Sequence, residues 1–234
     1  MADRFYCPAM PSNDQIILEG DEAKHLSRVR RLGVGDRVEV FDGKGFATVA
    51  EVIAVMRDRV ELRPEGIPLP DREPPIKLTL ATAVPKGDRF DWLIEKLTEL
   101  GVWRLQPIIT ERSVVDPRGA KLDRLRRAIV EASKQCGRNR LMELERPIAW
   151  RSWLEAAKDP ARLIAHPGGS PARSWPAVNA GESATLAIGP EGGFTDGEVD
   201  EAKECGWIPV SLGQTLLRIE TAGIAGATLL LSNG

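Results

Sequence analysis

Two different spacings of apolar residues follow one another along the chain after residue 75. Runs of consecutive apolar residues are typical of strands buried on both faces, and they occupy residues 76–84, 103–109, 163–165, 184–188 and 208–212. Apolar residues three or four positions apart predict helices between these runs, at residues 88–100, 122–136, 195–206 and 222–231. This alternation predicts an α/β domain with a mainly parallel sheet that is covered on both faces.

Residues at the ends of the predicted helices support these boundaries. Gly101 follows the last apolar position of the first helix, and Gly206 follows the third helix. Thr195 stands three residues before Glu198, which is the spacing of a capping box at a helix start.

The chain before residue 64 is dominated by short strands. Runs rich in Val, Ile and Phe predict strands at residues 15–18, 37–42, 46–55 and 59–63, with a hairpin turn at Asp42-Gly43-Lys44-Gly45. Several short strands within about 65 residues predict a small β-barrel. One helix is predicted here, at residues 21–31, and it is crowded with the basic side chains Lys24, His25, Arg28, Arg30 and Arg31.

A proline-rich segment separates the two patterns. Residues 64–75 contain five prolines in twelve positions, and proline continues neither a helix nor a central strand. We therefore predict a linker here, with one domain at residues 1–70 and a second at residues 76–234.

Composition narrows the class of protein and does not identify its function. The chain has 234 residues, of which 42% are hydrophobic and 28% charged, as in globular proteins. Cys7, Cys136 and Cys205 form no CxxC pair, so neither a structural metal site nor a disulfide framework is expected. The chain shows no apolar leader and no apolar stretch long enough to span a membrane, which favours a cytoplasmic protein without a membrane partner.

The net charge of −2 conceals an uneven distribution. Residues 118–146 contain nine Lys and Arg against four Asp and Glu, whereas residues 182–204 contain seven acidic residues against one lysine. A local basic excess favours contact with nucleic acid phosphates, although charged helix faces in contact with solvent give the same count. Residues 135–140 end the second helix with two arginines and an asparagine, so they form either a loop that binds phosphate or an ordinary helix end.

Two glycine-bearing turns carry the strongest indication of function. Gly189-Pro190-Glu191-Gly192-Gly193-Phe194 follows one predicted strand, and residues 212–222 follow the next. Glycine lets a ligand approach the main chain closely, and helix starts offer free N–H groups, so the pair predicts a nucleotide-like ligand; either turn alone would be ordinary in an α/β fold. Arg218 and Glu220 lie inside the second turn.

The motifs of several other enzyme classes are absent. The chain contains no GxGxxG, Walker A, HExxH or GxSxG sequence, which disfavours a dinucleotide-binding domain, a P-loop NTPase, a zinc protease and a serine hydrolase. His166 ends a predicted strand, where it either faces a ligand or has a structural role.

These turns, with Leu212-Gly213, Leu217-Arg218 and Glu220-Thr221 in the second, closely resemble the C-terminal motifs of the RsmE family of SPOUT methyltransferases. The resemblance covers the whole chain, and its other blocks are Arg28-Val29-Arg30-Arg31 with Gly35-Asp36, Glu95-Lys96, Glu99-Leu100-Gly101, Thr110-Glu111-Arg112, Glu131-Ala132 and Gln135-Cys136-Gly137-Arg138-Asn139. It implies a PUA-like β-barrel that binds RNA, followed by an α/β SPOUT domain with a trefoil knot. The knot does not follow from the residue pattern, since chain-threading rules favour an open sheet.

The resemblance also implies an activity, a cofactor and partners. The family transfers a methyl group from S-adenosylmethionine (SAM) to N3 of a uridine in small-subunit ribosomal RNA, works as a homodimer and acts on the RNA or on the assembled 30S subunit. The positions that would bind SAM are His166, Pro167, Gly168, Ile188, Gly189, Pro190, Glu191, Gly192, Gly193, Leu212, Gly213, Gln214, Leu216 and Leu217. The positions that would bind RNA are Lys24, Arg28, Arg30, Arg31, Gln135, Arg138, Asn139 and Arg140. Thr215 departs from the family, where an arginine is common.

Chemical reasoning assigns roles to the two charged residues of the second turn. Loss of the N3 proton spreads negative charge over O2 and O4 of uracil, and Arg218 is the predicted donor that stabilises it. Glu220 would orient Arg218 or accept the proton. Two alternatives stay open: an RNA-binding assembly factor without catalysis, and a nucleotide-metabolising α/β enzyme.

Overall fold

The computed structural model describes residues 3–10, 15–115 and 122–232. They divide into two compact units, of which the first is Met1–Glu73 with Val130–Leu141 and the second is Pro74–Ile129 with Met142–Gly234. The sequence placed residues 130–141 in the second domain, whereas the structure groups them with the first unit.

Five strands form the sheet of the first unit. The elements are β1 (Arg4–Tyr6), β2 (Ile16–Glu19), α1 (Gly20–Lys24), β3 (Arg37–Phe41), β4 (Ala47–Val55) and β5 (Arg59–Pro68). The strand order is β1-β3-β4-β5-β2, in which only β1 and β3 are parallel. The sheet curls around one apolar cluster to which all five strands contribute, including Phe5, Leu18, Val40, Val52 and Leu62.

The predicted linker is wrong in its first part, because β5 continues through Pro64 to Pro68. Strand β2 pairs with β5 only as far as Leu62, so among the described residues the later half of β5 has a strand neighbour on one side alone. A strand with one free side tolerates proline, since the missing N–H can face away from the ladder.

The predicted helix at residues 21–31 is also divided. After α1, a π-helical turn covers His25–Val29, with the Arg30 N–H donating to the carbonyl of His25 at 2.9 Å. Arg31 then adopts a left-handed backbone with φ of 57°, and this conformation ends the helical segment.

The second unit contains the predicted alternation of strands and helices. Its elements are β6 (Lys77–Thr82), α2 (Arg89–Glu99), β7 (Arg104–Ile109), α3 (Leu122–Cys136, which ends in the first unit), β8 (Glu143–Leu144), β9 (Ile148–Ala149), α4 (Trp150–Ala156), β10 (Ala161–Pro171), β11 (Ser183–Ile188), α5 (Asp196–Glu204), β12 (Ile208–Ser211) and α6 (Ile219–Leu231). The sequence missed β1, β8, β9 and α4, since two to seven residues are too few to display a period. The capping box of Thr195 and Glu198 is confirmed.

All seven strands of this unit pair in parallel, in the order β12-β10-β11-β6-β7-β8, with β9 beside β7. Successive residues of β6 and β11 point to opposite faces. Leu80 and Leu186 face α6, where Gly223 and Gly226 let the helix approach closely. Ala81 and Ala187 face the other side, in an apolar cluster with residues of α4 and α5. The prediction of a parallel sheet covered on both faces is confirmed.

No helix within residues 3–10, 15–115 and 122–232 has the length and apolar character needed to cross a membrane.

Candidate functional site

Three of the predicted segments meet at one edge of the parallel sheet. Strands β12, β10 and β11 are neighbours, so their carboxyl ends share an edge. Residues 189–194 follow β11, residues 212–218 follow β12, and residues 166–169 interrupt β10 near its end. Ligands of open α/β sheets bind at this edge of the strands.

The interruption in β10 is a loop fixed by a close backbone approach. Ala165 and Ser170 both pair with Val210 of β12, so the four residues between them leave the ladder. The Gly168 N–H donates to Nδ1 of His166 at 3.2 Å. A Cβ at Gly169 would overlap the backbone of Val210, so only glycine fits there. Gly169 was not among the predicted site residues, although it follows directly after them.

The turn after β11 is held on two sides. The Gly193 N–H donates to the carbonyl of Pro190 at 2.8 Å, with φ of 70° at Gly193. Phe194 is buried beneath the turn against Trp150, with ring centroids 4.8 Å apart. Arg112, from the loop after β7, donates to the carbonyl of Gly192 at 2.8 Å. The turn is therefore a preorganised surface of main-chain groups.

The segment after β12 is open to solvent. Ser211 Oγ donates to the carbonyl of Gly213 at 3.0 Å, and Gly213 has a φ of 149°. Residues 213–218 are exposed, including Leu216 with 86% of its surface accessible. An added Cβ at Gly193 or Gly213 would meet no atom of the described residues within 4 Å, which gives a ligand room to approach both turns.

The predicted catalytic residues line a cavity of about 650 Å³ next to this edge. Its wall is formed by Asp88, Arg89, Trp92, Arg218, Glu220 and Thr221. Arg218 is the N-cap residue of α6, is exposed, and has no ion-pair partner within the described part of the chain. Glu220 lies in the first turn of α6 with 6% of its surface accessible.

Arg89 is a component of this cavity that sequence reasoning missed. Its Nε donates to the carbonyl of Lys86 at 3.1 Å, and its two terminal nitrogens lie 3.5 Å from Glu191 Oε1 and 3.6 Å from Glu220 Oε1. Glu220 Oε2 is buried without a hydrogen-bond partner among the described residues. The sequence feature that could have indicated Arg89 is its position at the start of α2, in the segment that follows the carboxyl end of β6, a strand of the same sheet as the two turns.

The predicted RNA-binding residues around α1 lie on the surface of the first unit. Arg28, Arg30 and Arg31 are exposed and Lys24 is partly exposed. Arg30 pairs with Asp3, and Lys24 Nζ lies 3.8 Å from Asp58, both being solvent-accessible ion pairs. The surface location is as predicted, and binding of RNA there stays a prediction.

The expectation of an exposed Arg138 and Asn139 is wrong. Both are buried, with 3% and 1% of their surfaces accessible. Arg138 forms a two-point ion pair with Glu73, at 2.8 and 2.6 Å, and Arg4 donates to Asn139 Oδ1 at 2.5 Å. Burial lowers the pKa of the Arg4 guanidinium. These residues hold the end of α3 in the first unit and have no surface for phosphate.

The other residues of the basic segment differ in their exposure to solvent. Gln135 is exposed and Arg140 is partly buried, with a backbone bridge to Gly43. Lys134 is buried beside Glu22 and Glu131, at 3.0 and 3.1 Å. Arg118 and Lys121, which belong to the basic segment counted in the sequence, lie outside the described residues.

Comparison with known proteins adds independent findings. Residues 72–231 match the family described as RNA methyltransferase domain, and residues 18–65 match the family described as RNA methyltransferase PUA domain. A protein of Synechocystis named ribosomal RNA small subunit methyltransferase E is 35% identical, with 88% of this chain and 69% of that protein covered. The Bacillus subtilis protein of the same name is 32% identical, with 88% and 85% covered.

A solved structure agrees over nearly the whole chain. The crystal structure of a ribosomal RNA small subunit methyltransferase E from Neisseria gonorrhoeae, bound to S-adenosyl methionine, has a TM-score of 0.91 and 31% identity. The alignment covers 99% of this chain and 98% of that one. The predicted fold class is confirmed.

Two ion pairs with the same shortest N–O distance, 2.6 Å, predict losses of stability of different size. Arg138 is buried and the Glu73 side chain is 12% accessible, whereas the Arg124 and Asp91 side chains are 55% and 27% accessible. Arg138→Met should lower the free energy of unfolding by about 3–5 kcal/mol, because it leaves a largely buried carboxylate unpaired. The matched Arg124→Met should cost about 0–1 kcal/mol. Urea unfolding followed by circular dichroism measures both, and equal, small losses would contradict a structural role for Arg138.

Proposed function

Because this chain belongs to the RsmE family of SPOUT RNA methyltransferases, we propose that it transfers a methyl group from SAM to N3 of a uridine in small-subunit ribosomal RNA. The observation that carries this proposal is the meeting of three glycine-bearing loops and the Arg218–Glu220 cavity at one edge of the sheet. An assembly factor without catalysis would not need the open Arg218 beside a buried carboxylate. A nucleotide-metabolising enzyme would not need the basic surface around α1.

The loops fit SAM as a ligand bound mainly by main-chain groups. Gly193 and Gly213 leave open space at the backbone of two neighbouring turns, and Leu216 offers an exposed apolar side chain for a ligand to cover. The cofactor would lie against residues 166–168, 188–193 and 212–217. When bound, SAM supplies a methyl group activated by a positively charged sulfur, so the protein's main contribution is to align the acceptor nitrogen with it.

The side chains near the cavity supply the charge that this transfer needs. Arg218 stabilises the negative charge that develops on the uracil oxygens as N3 loses its proton. Glu220 accepts that proton or orients the arginine. Its Oε2 is buried and has no hydrogen-bond partner in the described part of the chain, which supports the first role. The target base leaves its stack to reach these groups.

Removal of Arg218 tests the function directly. Small subunits from a strain that lacks this protein are incubated with the purified enzyme and SAM, and the methylated nucleotide is mapped. Arg218→Ala should cut the single-turnover rate by about 100-fold or more while SAM affinity, measured by calorimetry, stays within a few-fold. Arg151→Ala, at an exposed ion pair with Glu201, is the matched control and should leave both values unchanged.

Three outcomes would contradict parts of this proposal. Near-normal turnover of Arg218→Ala removes the arginine from the mechanism. Absence of SAM binding at millimolar concentration removes the cofactor. Absence of N3-methyluridine after reaction with the wild-type enzyme, on both naked RNA and assembled subunits, removes the function.

We propose that the arginines around α1 bind RNA phosphates. Each phosphate contact that is lost lowers the slope of log affinity against log salt by about 0.7–0.9, because fewer counterions are released. The Arg28/Arg30/Arg31→Ala variant should therefore bind small subunits more weakly and with a flatter salt dependence. An Arg37/Arg63→Ala variant changes two other exposed arginines of the same unit and should keep the wild-type slope. Equal slopes in all three proteins would place the RNA footprint elsewhere.

We further propose that the protein is a cytoplasmic homodimer. Helix α6 supports this, because Thr228 is exposed and Ile224 and Ala225 are partly exposed, which leaves part of an apolar helix available to a second copy. Sedimentation at micromolar concentration should show a species of about twice the 25.6 kDa chain mass. A single species of 25.6 kDa would contradict it.

A further inference from the structure

We propose that the cavity beside α6 is the subsite for the flipped uracil, with Trp92 as the surface on which the base stacks and Arg89 as a residue that determines its specificity. The inference rests on the proposed function, and it assigns two residues of the cavity wall that neither the motifs nor the mechanism above uses.

Packing among the described residues of one chain does not explain the position of Trp92. The apolar face of α2 is already formed by the buried residues Phe90, Leu93, Ile94 and Leu97. Trp92 lies off that face, with 47% of its surface accessible, and lines the cavity. An exposed indole beside a cavity offers a planar apolar surface, and bases that have left the stack pack on aromatic side chains in this way.

The charges of the cavity favour a neutral base over a phosphate. Two guanidinium groups, of Arg89 and Arg218, share the wall with two carboxylates, of Asp88 and Glu220. A phosphate would meet the carboxylates with like charge, whereas a neutral base can hydrogen-bond to both kinds of group. The equal numbers of positive and negative side chains therefore distinguish this cavity from the arginine-rich surface around α1.

The kinds of hydrogen-bonding groups on the cavity wall match those of uracil. Its Watson–Crick edge presents an acceptor, a donor and an acceptor, namely O4, N3–H and O2. Within the described residues, Glu220 Oε2 is a buried acceptor without a hydrogen-bond partner. Arg89 and Arg218 are donors on the same wall, and the terminal nitrogens of Arg89 lie 3.5 and 3.6 Å from its carboxylate neighbours, longer than a full hydrogen bond. Arg89 thus retains N–H groups for one uracil oxygen.

The same arrangement rejects cytosine. Cytosine presents an amino donor where uracil presents O4, and an unprotonated N3 where uracil has N3–H. Two donors would then face each other, and the Glu220 carboxylate would face an acceptor. Buried polar groups left without partners are costly, so the pocket discriminates between the two pyrimidines before any methyl transfer.

Variants of Trp92 test the stacking surface. Trp92→Ala should lower the single-turnover methylation rate of small subunits by roughly 5- to 150-fold, the range for one lost stacking contact, with SAM affinity unchanged. Trp92→Phe keeps an aromatic face and should stay within about threefold of wild type. Ile208→Ala changes another exposed apolar residue of the same unit, outside the cavity wall, and should have no effect.

A binding measurement tests the specificity without requiring turnover. Tryptophan fluorescence is followed while an oligoribonucleotide around the mapped site is added, carrying either uridine or cytidine at the target position. The oligoribonucleotide with uridine should quench the tryptophan fluorescence more strongly than the one with cytidine. The Trp92→Phe variant should not show that difference. Arg89→Met should narrow the ratio of uridine to cytidine affinity by at least about fivefold, an effect that a merely structural loss of the arginine would not produce.

The outcomes separate this inference from the proposed function. Wild-type methylation together with an unaffected Trp92→Ala variant overturns the subsite and leaves the function standing. Equal quenching by the uridine and cytidine forms overturns the specificity role. Uridine-dependent quenching without any methylation supports the subsite and overturns the proposed function.

Discussion

The close approach of Gly169 to the backbone of Val210 is the constraint on which the site depends. It forces residues 166–169 out of the β10 ladder while the strand pairs with β12 on either side of them. A single Cβ at this position would separate the two strands. Because β11 lies on the other side of β10, the same contact sets the position of the loop after β11 relative to the segment after β12.

Much of the α/β fold is readable from the sequence because its signals are local. Helix α3 has the predicted limits of residues 122–136, and the Thr195 capping box needs only residues within one turn. The two glycine turns are recognisable for the same reason. Parallel pairing then brings both turns to one sheet edge, so the approximate place of the site also follows from the pattern.

The errors of the sequence-based prediction arise where contacts between residues far apart in the chain determine the structure. Arg138 is buried because Glu73, 65 positions away, completes its ion pair, and no local count of charges contains that information. Pro68 belongs to a strand because it pairs with Thr48 of β4, a partner that the local sequence does not show. Arg89 belongs to the site through two carboxylates distant in sequence, Glu191 in the turn after β11 and Glu220 in α6. In each case the sequence shows the type of residue and does not show which distant residue it contacts.

The site combines two kinds of recognition, and the fold explains why they are separate. Main-chain groups of the strand-end loops form the proposed cofactor surface, where glycine gives access and side chains would obstruct. Side chains from the starts of α2 and α6 form the cavity, where the proposed recognition of the base depends on charge and aromatic character. Glu191 connects the two, since it belongs to the turn after β11 and pairs with Arg89 of the cavity. A change in the position of that turn would therefore alter Arg89, and with it the environment of the buried Glu220 carboxylate, so occupancy of one surface is physically coupled to the geometry of the other.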